Sequence, residues 1–231
     1  MSGMARAVEP EWLDTLAPDD PRAVRSRADL RRVNGLMGNA RIVAGLLRGA
    51  AAGPVRRVAE IGAGDGTFAL RVARAWASSG GTPEMMLVDR VPVVAPETRN
   101  AFREAGWEAR PEAADVFDWL DAQREPCDAI FANLFLHHFA DDALTRLLGA
   151  IAARTRCFVA CEPRRSPLAL AGSHGLAVIG CNDVTRHDAV ASVRAGFAGA
   201  ELTARWASPR EWAIQERGRR LFSHAFVATR R

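Results

Sequence analysis

Lysine and tyrosine are both absent from this chain of 231 residues, so all 31 of its basic residues are arginine. The absence of lysine excludes enzymes that form a lysine Schiff base, proteins that bind phosphate through a P-loop lysine, and protein kinases. The absence of tyrosine excludes any mechanism that uses a phenol as general acid or base. Proton transfer in this protein therefore depends on its five histidines and its carboxylates.

Long apolar runs and paired cysteine motifs are also missing. No stretch approaches the roughly 18 apolar residues of a membrane span, and residues 1–12 lack the apolar core of a signal peptide. No two cysteines form a CxxC pair, and two of them lie in the apolar run CFVAC, which predicts buried, reduced thiols. The four cysteines are Cys127, Cys157, Cys161 and Cys181. We therefore expect a cytoplasmic protein.

The net charge of +4 is unevenly distributed along the chain. Residues 20–50 contain seven arginines and two aspartates, and residues 210–231 contain six arginines and two glutamates. Two basic ends around a mildly acidic middle could attract an anionic substrate or a nucleic acid. Solvated helix faces are the favoured interpretation, because the arginines are not interleaved with aromatic residues and belong to no recognised nucleic-acid-binding motif.

The pattern of apolar residues predicts an α/β protein. Two helices before residue 51 are interpreted as an N-terminal helical lid over residues 1–50. Strands and helices alternate through residues 51–231, which predicts a parallel sheet with helices on both faces. The predicted helices include 21–37, 40–50, 66–78, 96–106 and 141–154, and the predicted strands are Val55–Ile61, Met85–Asp89, Asp128–Asn133, Cys157–Cys161, Ala200–Trp206 and His224–Thr229.

A glycine-rich turn, GAGDG at residues 62–66, follows the first predicted strand and leads directly into a helix. Glycine lets the backbone turn tightly and lets a ligand approach the main chain. Thr67 stands where the dinucleotide-binding fingerprint G-x-G-x-x-G needs its third glycine. The second predicted strand ends at Asp89, where a carboxylate can accept two hydrogen bonds from a ribose diol. These features predict a nucleoside site at the carboxyl ends of the strands.

With Asp115 after the third strand and Asn133 at the end of the fourth, the motifs resemble the class I S-adenosylmethionine-dependent methyltransferases over about residues 55–231. The resemblance implies a Rossmann-like fold with a seven-stranded, mostly parallel sheet and an antiparallel last strand. It implies that the glycine turn packs against the methionine and ribose parts of the cofactor, S-adenosylmethionine, with Glu60 near its amino group. It also implies that Asp89 holds the ribose hydroxyls, Asp115 the adenine amino group, and the main chain of Asn133 the methionine ammonium. The full cofactor-binding set implied is Glu60, Gly62, Ala63, Gly64, Gly66, Asp89, Arg90, Asp115, Val116, Asn133 and Leu134.

The segment NLFLHHF at residues 133–139 is similar to the segment after strand four in small-molecule methyltransferases, including quinone-biosynthesis and polyketide-tailoring enzymes. The Asn/Asp-Pro-Pro-Phe/Tyr signature of amino-methylating enzymes is absent, and the Lys-Asp-Lys-Glu set of RNA 2′-O methylation cannot occur without lysine. The resemblance implies a small, largely apolar hydroxylated acceptor, with O-methylation favoured over C-methylation. Two alternatives stay open: an RNA methyltransferase with arginine-rich ends, and a non-catalytic S-adenosylmethionine-binding protein.

Histidine is the usual base for an oxygen nucleophile near neutral pH. His137 and His138 follow the segment expected at the methionine end of the cofactor. His187 lies inside a T-x-x-D capping box formed by Thr185 and Asp188, which predicts the start of a helix. These three histidines are the candidate catalytic residues. The predicted acceptor pocket contains Met37, His174, Asn182 and Arg186. We predict no metal site, a small-molecule partner and possible homodimerisation.

Overall fold

The computed structural model describes residues 4–17, 19–50, 53–76, 81–91 and 93–231. Its strands are β1 (Arg57–Ile61), β2 (Glu84–Asp89), β3 (Glu108–Ala113), β4 (Ala129–Asn133), β5 (Cys157–Pro163), β6 (Trp212–Arg219) and β7 (Ser223–Arg230). They form one seven-stranded sheet in the order β3-β2-β1-β4-β5-β7-β6. Strand β7 is antiparallel to β5 and β6, and the other neighbours are parallel. This architecture confirms the predicted Rossmann-like fold.

Helices cover both faces of the sheet. They are α1 (Trp12–Thr15), α2 (Pro21–Met37), α3 (Asn39–Ala50), α4 (Thr67–Ala75), α5 (Pro96–Glu104), α6 (Val116–Ala122), α7 (Asp141–Arg154), α8 (Pro167–His174), α9 (Asp183–Ala195) and α10 (Glu201–Arg205), with 3-10 turns at Leu136–His138, Gly175–Ala177 and Pro209–Glu211. Helices α3, α4 and α5 pack on one face, where Leu47 and Phe102 are buried. Helices α6, α7 and α10 pack on the other, where Leu120 and Leu148 are buried. Strands β4 and β5 are consequently buried along their whole length.

Strands β1, β2, β4, β5 and β7 lie within two residues of their predicted bounds, and β3 precedes Asp115, as expected, although its bounds were not predicted. Helix α4 ends at Ala75, and the last two residues of the helix predicted over 66–78 lie outside the described residues.

The predicted strand Ala200–Trp206 is wrong, because α10 occupies this segment. Leu202 and Trp206 are both buried and lie four residues apart, which is a helical spacing. The carboxylate of Glu216, on β6, accepts hydrogen bonds from the backbone N–H groups of Leu202 at 3.0 Å and Thr203 at 2.7 Å. These bonds satisfy amides at the start of the helix that have no partner within it. The strand between this segment and β7 is β6, which the prediction missed.

Helix α9 begins two residues before Thr185, so the predicted capping box is also wrong. Asn182 is the N-cap, and its side chain accepts a hydrogen bond from the Thr185 N–H at 2.9 Å. Asp188 instead accepts hydrogen bonds from the backbone N–H groups of Trp12 at 2.8 Å and Leu13 at 3.0 Å. The first helix of the chain is thereby attached to α9.

Helix α3 belongs to the core of the sheet domain. Val43 and Leu47 are buried against the sheet. The Asn39 Nδ2 donates a hydrogen bond to Asn133 Oδ1 at 2.9 Å, and the Ser223 hydroxyl donates one to Asn39 Oδ1 at 2.7 Å, with all three side chains buried. The prediction of a lid over residues 1–50 therefore concerns α1 and α2, where it stays a prediction.

All four cysteines are buried free thiols, as expected. Burial raises the pKa of Cys127 to about 11 and that of Cys157 to about 12. No helix among the described residues has the length and apolar character needed to cross a membrane.

Replacing Asn39 with alanine is expected to destabilise the protein, because Asn133 and Ser223 would each lose a buried hydrogen-bond partner. Each buried polar group left unpaired costs about 1–3 kcal/mol, so urea unfolding followed by circular dichroism should show a lower midpoint. Asn100→Ala, at an exposed position on α5, is the control and should not lower the midpoint, because alanine favours the helix. An Asn39→Ala midpoint equal to that of the wild type would contradict this role.

Candidate active site

Three glycines with left-handed backbone angles shape the turn after β1. Gly62, Gly64 and Gly66 have φ values of 73°, 54° and 73°, which residues with a side chain rarely adopt. A Cβ atom at Gly62 would lie 2.3 Å from the ring of Phe135, so this position excludes any larger residue. A Cβ atom at Gly64 would meet no atom within 4 Å. The backbone at Gly64 is therefore open on one side to an approaching ligand.

Asp89, at the end of β2, is held against this turn. Its Oδ2 accepts a hydrogen bond from the Gly64 N–H at 2.9 Å, and its Oδ1 accepts one from the amide two residues along at 3.0 Å. The N–H groups of Gly62 and Ala63 both donate to the Val88 carbonyl, at 2.9 and 3.1 Å. Each carboxylate oxygen of Asp89 can accept a second hydrogen bond, so the side chain has capacity left for a ligand.

Asp115 forms an ion pair at the ends of β2 and β3. Its Oδ1 accepts a hydrogen bond from the Phe117 N–H at 2.8 Å and so caps α6, whose first residue, Val116, is buried. Its Oδ2 lies 2.6 Å from the Arg90 guanidinium. The hydrogen bond from Arg90 lowers the pKa of Asp115. The Asp115 side chain is therefore an ionised hydrogen-bond acceptor at the rim of the sheet.

Glu60 is a buried carboxylate beside the glycine turn. Its side chain is 1% exposed, and its Oε2 has no hydrogen-bond partner among the described residues. Burial raises the pKa of Glu60 well above the ordinary value of 4.5, and the negative charges of Asp65 and Asp89 add to this shift. An orphaned carboxylate oxygen of this kind is suited to a positively charged ligand group.

The end of β4 places two adjacent backbone positions beside the turn. Asn133 is fixed by its hydrogen bond from Asn39. Leu134 has a φ of 52°, which is unusual for a residue with a side chain, and its N–H donates to the Cys161 carbonyl at 3.0 Å. Such strained positions concentrate where a ligand is bound. We call the space bounded by the glycine turn, Asp89 and Asn133 the cofactor crevice.

His137 is a buried cation between two carboxylates. Its Nδ1 lies 2.8 Å from Glu162 Oε2, and its Nε2 lies 3.4 Å from Glu11 Oε1 without the alignment of a hydrogen bond. Burial is the largest single influence and disfavours the charge, but Glu11 and Glu162 together outweigh it and raise the pKa of His137 to about 9. At neutral pH His137 is protonated and does not accept a proton in this arrangement.

His138 and His187 differ from His137 in their surroundings. The His138 ring lies 4.2 Å from that of His137, between centroids, and its side chain is 33% exposed. Burial and the charge of His137 lower the pKa of His138, so it is neutral at pH 7. His187 lies elsewhere, on α9, where its Nδ1 contacts Asp188 Oδ1 at 2.9 Å and its ring stacks on Trp12 at 3.9 Å. The structure thus brings two of the three candidate histidines together.

Among the described residues, the side chains around His137 could also ligate a metal ion. Glu11, His137 and His138 each offer one ligand atom, and these atoms lie within 4.8 Å of one another. The proton held by His137 offsets one of the two negative charges of Glu11 and Glu162.

A largely apolar cavity of about 360 Å³ opens beside Leu134. Its walls come from α2, α8, α9, the end of β5 and the turn before β7. The lining residues are Leu30, Val33, Asn34, Leu36, Met37, Leu134, Pro163, Ala169, Gly172, Ser173, Gly175, Leu176, Ile179, Ala189, Ser192, Val193 and Phe222. We call this the acceptor cavity, because open α/β sheets bind their ligands at this edge.

The structure places one of the four predicted pocket residues in the acceptor cavity. Met37 lines the acceptor cavity. His174 is exposed outside it, Asn182 caps α9 and donates to the Arg22 carbonyl at 2.9 Å, and Arg186 is an exposed residue of α9. An acceptor role for these last three stays a prediction without support from the cavity.

Residues 58–156 match the protein family described as Methyltransferase domain. The fold is similar to that of the plantazolicin methyltransferase BpumL, solved with SAH, with a TM-score of 0.64 and 11% identity over 92% of each chain. An O-methyltransferase family protein from Burkholderia thailandensis gives a TM-score of 0.59 and 16% identity, over 92% of this chain and 60% of that one. Magnesium protoporphyrin IX methyltransferase from Synechocystis, solved with bound SAM, gives a TM-score of 0.50 and 12% identity, over 95% of this chain and 88% of that one. No curated protein matches this sequence.

The family match runs from β1 to the end of α7 and so contains the glycine turn, Asp89, Asp115 and Asn133 in their observed positions. Residues 58–156 match a methyltransferase domain, and this match together with the fold supports the predicted class I S-adenosylmethionine-dependent methyltransferase. The SAH and SAM bound in these structural neighbours are consistent with the predicted cofactor, S-adenosylmethionine.

The cofactor crevice of the methyltransferase fits this cofactor chemically. The orphaned Oε2 of Glu60 can accept a hydrogen bond from the methionine ammonium, and Asp89 has capacity for the ribose hydroxyls. The open backbone at Gly64 leaves room between them. S-adenosylmethionine carries an ammonium and a sulfonium but no phosphate, so carboxylates suit it better than basic side chains. The roles of the individual residues stay predictions.

Sequence reasoning missed three polar residues that organise this site. Glu162 had a visible signal, because it is a carboxylate at the carboxyl end of a strand predicted to be buried. Glu11 and Asn39 had none, because they lie far along the chain from the residues that they contact. Their roles follow from the tertiary structure alone.

Glu60→Gln is expected to stabilise the cofactor-free methyltransferase at pH 8. Because the pKa of Glu60 is raised in the folded state, the folded protein binds more protons than the unfolded chain above pH 4.5, and its stability falls as the pH rises. The variant removes this cost, and calorimetry should show a melting temperature higher by roughly 2–4 °C for each kcal/mol gained. It should also bind S-adenosylmethionine more weakly, because an amide does not pair with the ammonium. A lower melting temperature, or unchanged affinity, would contradict the assignment.

Asp89→Asn is expected to weaken S-adenosylmethionine binding by roughly 10-fold to 100-fold. Hydrogen bonds to a charged acceptor contribute about 1.5–3 kcal/mol, and the amide cannot accept at both of its atoms. Isothermal titration calorimetry measures the change, with Asp121→Asn, an exposed position on α6, as the control of equal charge. Equal affinities of the two variants would argue against Asp89 as the ribose-binding residue.

Proposed function

We propose that this methyltransferase transfers a methyl group to a hydroxyl oxygen of a small, largely apolar compound that binds in the acceptor cavity. The observation that supports this most directly is the position of the cavity. Leu134 directly follows the last residue of β4 and lines the cavity wall, so the cavity adjoins the part of the cofactor crevice predicted to hold the methionine end. An acceptor bound in this cavity would therefore lie next to the methionine end of the cofactor.

The chemistry of the cavity wall supports an apolar acceptor. Leu30, Met37 and Phe222 are typical of its lining, in which Asn34, Ser173 and Ser192 have polar side chains. A pocket of mostly apolar residues with a few polar groups binds small molecules and orients them. The Asn34 Oδ1 is buried and has no hydrogen-bond partner among the described residues, so a hydroxyl of the acceptor can donate to it. In the part of the chain that the structure describes, the wall contains no basic side chain that could bind the negative charges of a phosphodiester chain.

When bound, S-adenosylmethionine would supply an electrophilic methyl group, whose carbon would bond to the acceptor oxygen as the carbon–sulfur bond breaks and S-adenosylhomocysteine leaves as a thioether. The chain's own contribution is alignment, because positioning two reactants accounts for much of the barrier reduction in such a transfer. Glu60 and Asn133 would hold the methionine end, and Asp89 the ribose. The apolar residues of α2 and α8 would exclude water from the acceptor. A base is then needed for the hydroxyl proton.

His138 is the best-supported base among the three candidate histidines. Ser192 lines the acceptor cavity, and its hydroxyl donates a hydrogen bond to Glu11 Oε1. The cluster of Glu11, His137 and His138 therefore borders the cavity wall. Within this cluster His137 is already protonated, whereas His138 is neutral and partly exposed. His187 is engaged by Trp12 and Asp188.

His138→Gln is expected to lower kcat by about 10²-fold to 10⁴-fold, the usual contribution of a general base, with the affinity for S-adenosylmethionine unchanged. Transfer of labelled methyl groups to naphthols and related hydroxylated arenes measures the effect. Because the pKa of His138 lies below 6.5, kcat/KM should stay constant at neutral pH and fall only in more acidic solution. If His187→Gln loses activity and His138→Gln retains it, His187 is the base. Cofactor binding without transfer to any hydroxylated arene in the panel would contradict the proposed function.

A further inference from the structure

A second cavity, of about 620 Å³, adjoins the acceptor cavity. The two share Asn34 and Leu36, at the end of α2, in their linings. The residues lining the second cavity are Asn34, Gly35, Leu36, Gly38, Ala40, Arg41, Arg71, Arg74, Ala75 and Arg220. We call it the arginine cavity. It contains four arginines and no acidic residue.

None of these four arginines has an acidic partner among the described residues, in contrast to the ten arginines that form ion pairs there. Arg90 and Arg165, for comparison, pair with Asp115 and Glu201. Among the described residues, the guanidinium groups of Arg41, Arg71, Arg74 and Arg220 form no ion pair. Like charges that face one cavity repel each other, and an anion bound between them removes that repulsion. The guanidinium group also binds phosphate and carboxylate in a two-pronged geometry.

The backbone places these side chains towards one another. Arg71 and Arg74 lie three residues apart on α4 and share one face of it. Arg220 has a left-handed φ of 55° in the turn between β6 and β7, and its guanidinium carbon would lie 3.5 Å from a Cβ atom at Gly38. The Arg220 guanidinium therefore lies against the backbone between α2 and α3. Arg41 reaches the cavity from the first turn of α3.

The arginine cavity also joins the two basic ends of the sequence. Arg41 comes from the basic segment 20–50 and Arg220 from the basic segment 210–231, and they line one cavity although 179 residues separate them. Arg220 lies two residues before Phe222, a lining residue of the acceptor cavity. One turn thus contributes an apolar wall to one cavity and a positive charge to the next.

We propose that the arginine cavity binds a phosphate or carboxylate group of the methyl acceptor, whose apolar body lies in the acceptor cavity. This inference rests on the proposed function, since it places the acceptor in that cavity. It specifies the substrate class as amphipathic, with an apolar body and one anionic group. An RNA ligand is less favoured, because no aromatic residue for base stacking lies in the lining of the arginine cavity.

The test compares probes that share an apolar body and differ in their head group. Isothermal titration calorimetry on the full chain, in the presence of S-adenosylhomocysteine, measures the binding of decyl phosphate and decanoate below their micelle concentrations and of decanol below its solubility limit. The variant is Arg71→Gln/Arg74→Gln. The matched control is Arg99→Gln/Arg124→Gln, which removes the same charge from two exposed arginines outside both cavities.

We expect at least one anionic probe to bind the wild type and the control at least about tenfold more tightly than decanol does. This advantage should disappear in Arg71→Gln/Arg74→Gln and shrink with added salt. Comparison of decyl phosphate with decanoate identifies the preferred anion. Equal binding of all three probes would overturn the anionic subsite and leave the acceptor cavity intact.

Two further outcomes separate this inference from the proposed function. Binding of the anionic probes that depends on Arg71 and Arg74, without any binding of decanol, would support the anionic subsite and count against an apolar acceptor cavity. Binding of a 20-nucleotide RNA that displaces decyl phosphate, and that Arg71→Gln/Arg74→Gln abolishes, would overturn the inference, since the arginines would then form a nucleic-acid surface.

Discussion

The site of this methyltransferase depends on the point where the strand order of its sheet reverses. From β1 the chain proceeds outward through β2 and β3, and it then returns to the other side of β1 to form β4 and β5. The connections after β1 and β4 therefore diverge, and a crevice opens between the carboxyl ends of these two strands. The glycine turn closes one side of this crevice, and Asn133 and Leu134 close the other. A cofactor bound there is held by backbone groups that the sheet itself fixes.

A buried polar connection extends this arrangement to the N-terminal helices. Asn39 bonds to Asn133 at the crevice and to Ser223 at the start of β7. Helix α2 ends next to Asn39, so its last turns are placed over the ends of β4 and β5 by the same connection. The acceptor cavity and the arginine cavity both use those turns, through Asn34 and Leu36. The position of the acceptor relative to the cofactor thus depends on a few buried amide and hydroxyl groups.

The fold and the cofactor crevice could be predicted because their signals are local. A buried strand, the turn at residues 62–66 and Asp89 follow one another within a short stretch of sequence, and together they indicate a nucleoside site at the strand ends. The segment around Ala200–Trp206 was misread because Leu202 and Trp206 suit a strand or a helix equally until Glu216 caps the helix. The cavities and the Glu11–His137 contact could not be predicted, since they arise from residues more than 100 positions apart.

The excess of arginine is partly accounted for by the structure. Ten arginines form ion pairs with acidic side chains among the described residues. Four others line the arginine cavity, where we propose that they bind an anionic group. The absence of lysine and tyrosine agrees with a cofactor held by glycines and carboxylates.

A crystal structure with S-adenosylhomocysteine tests the central claim most directly. We predict that its ammonium contacts Glu60 and that its sulfur faces the acceptor cavity at Leu134. A ligand bound away from the crevice, or with its sulfur turned from this cavity, would contradict the account.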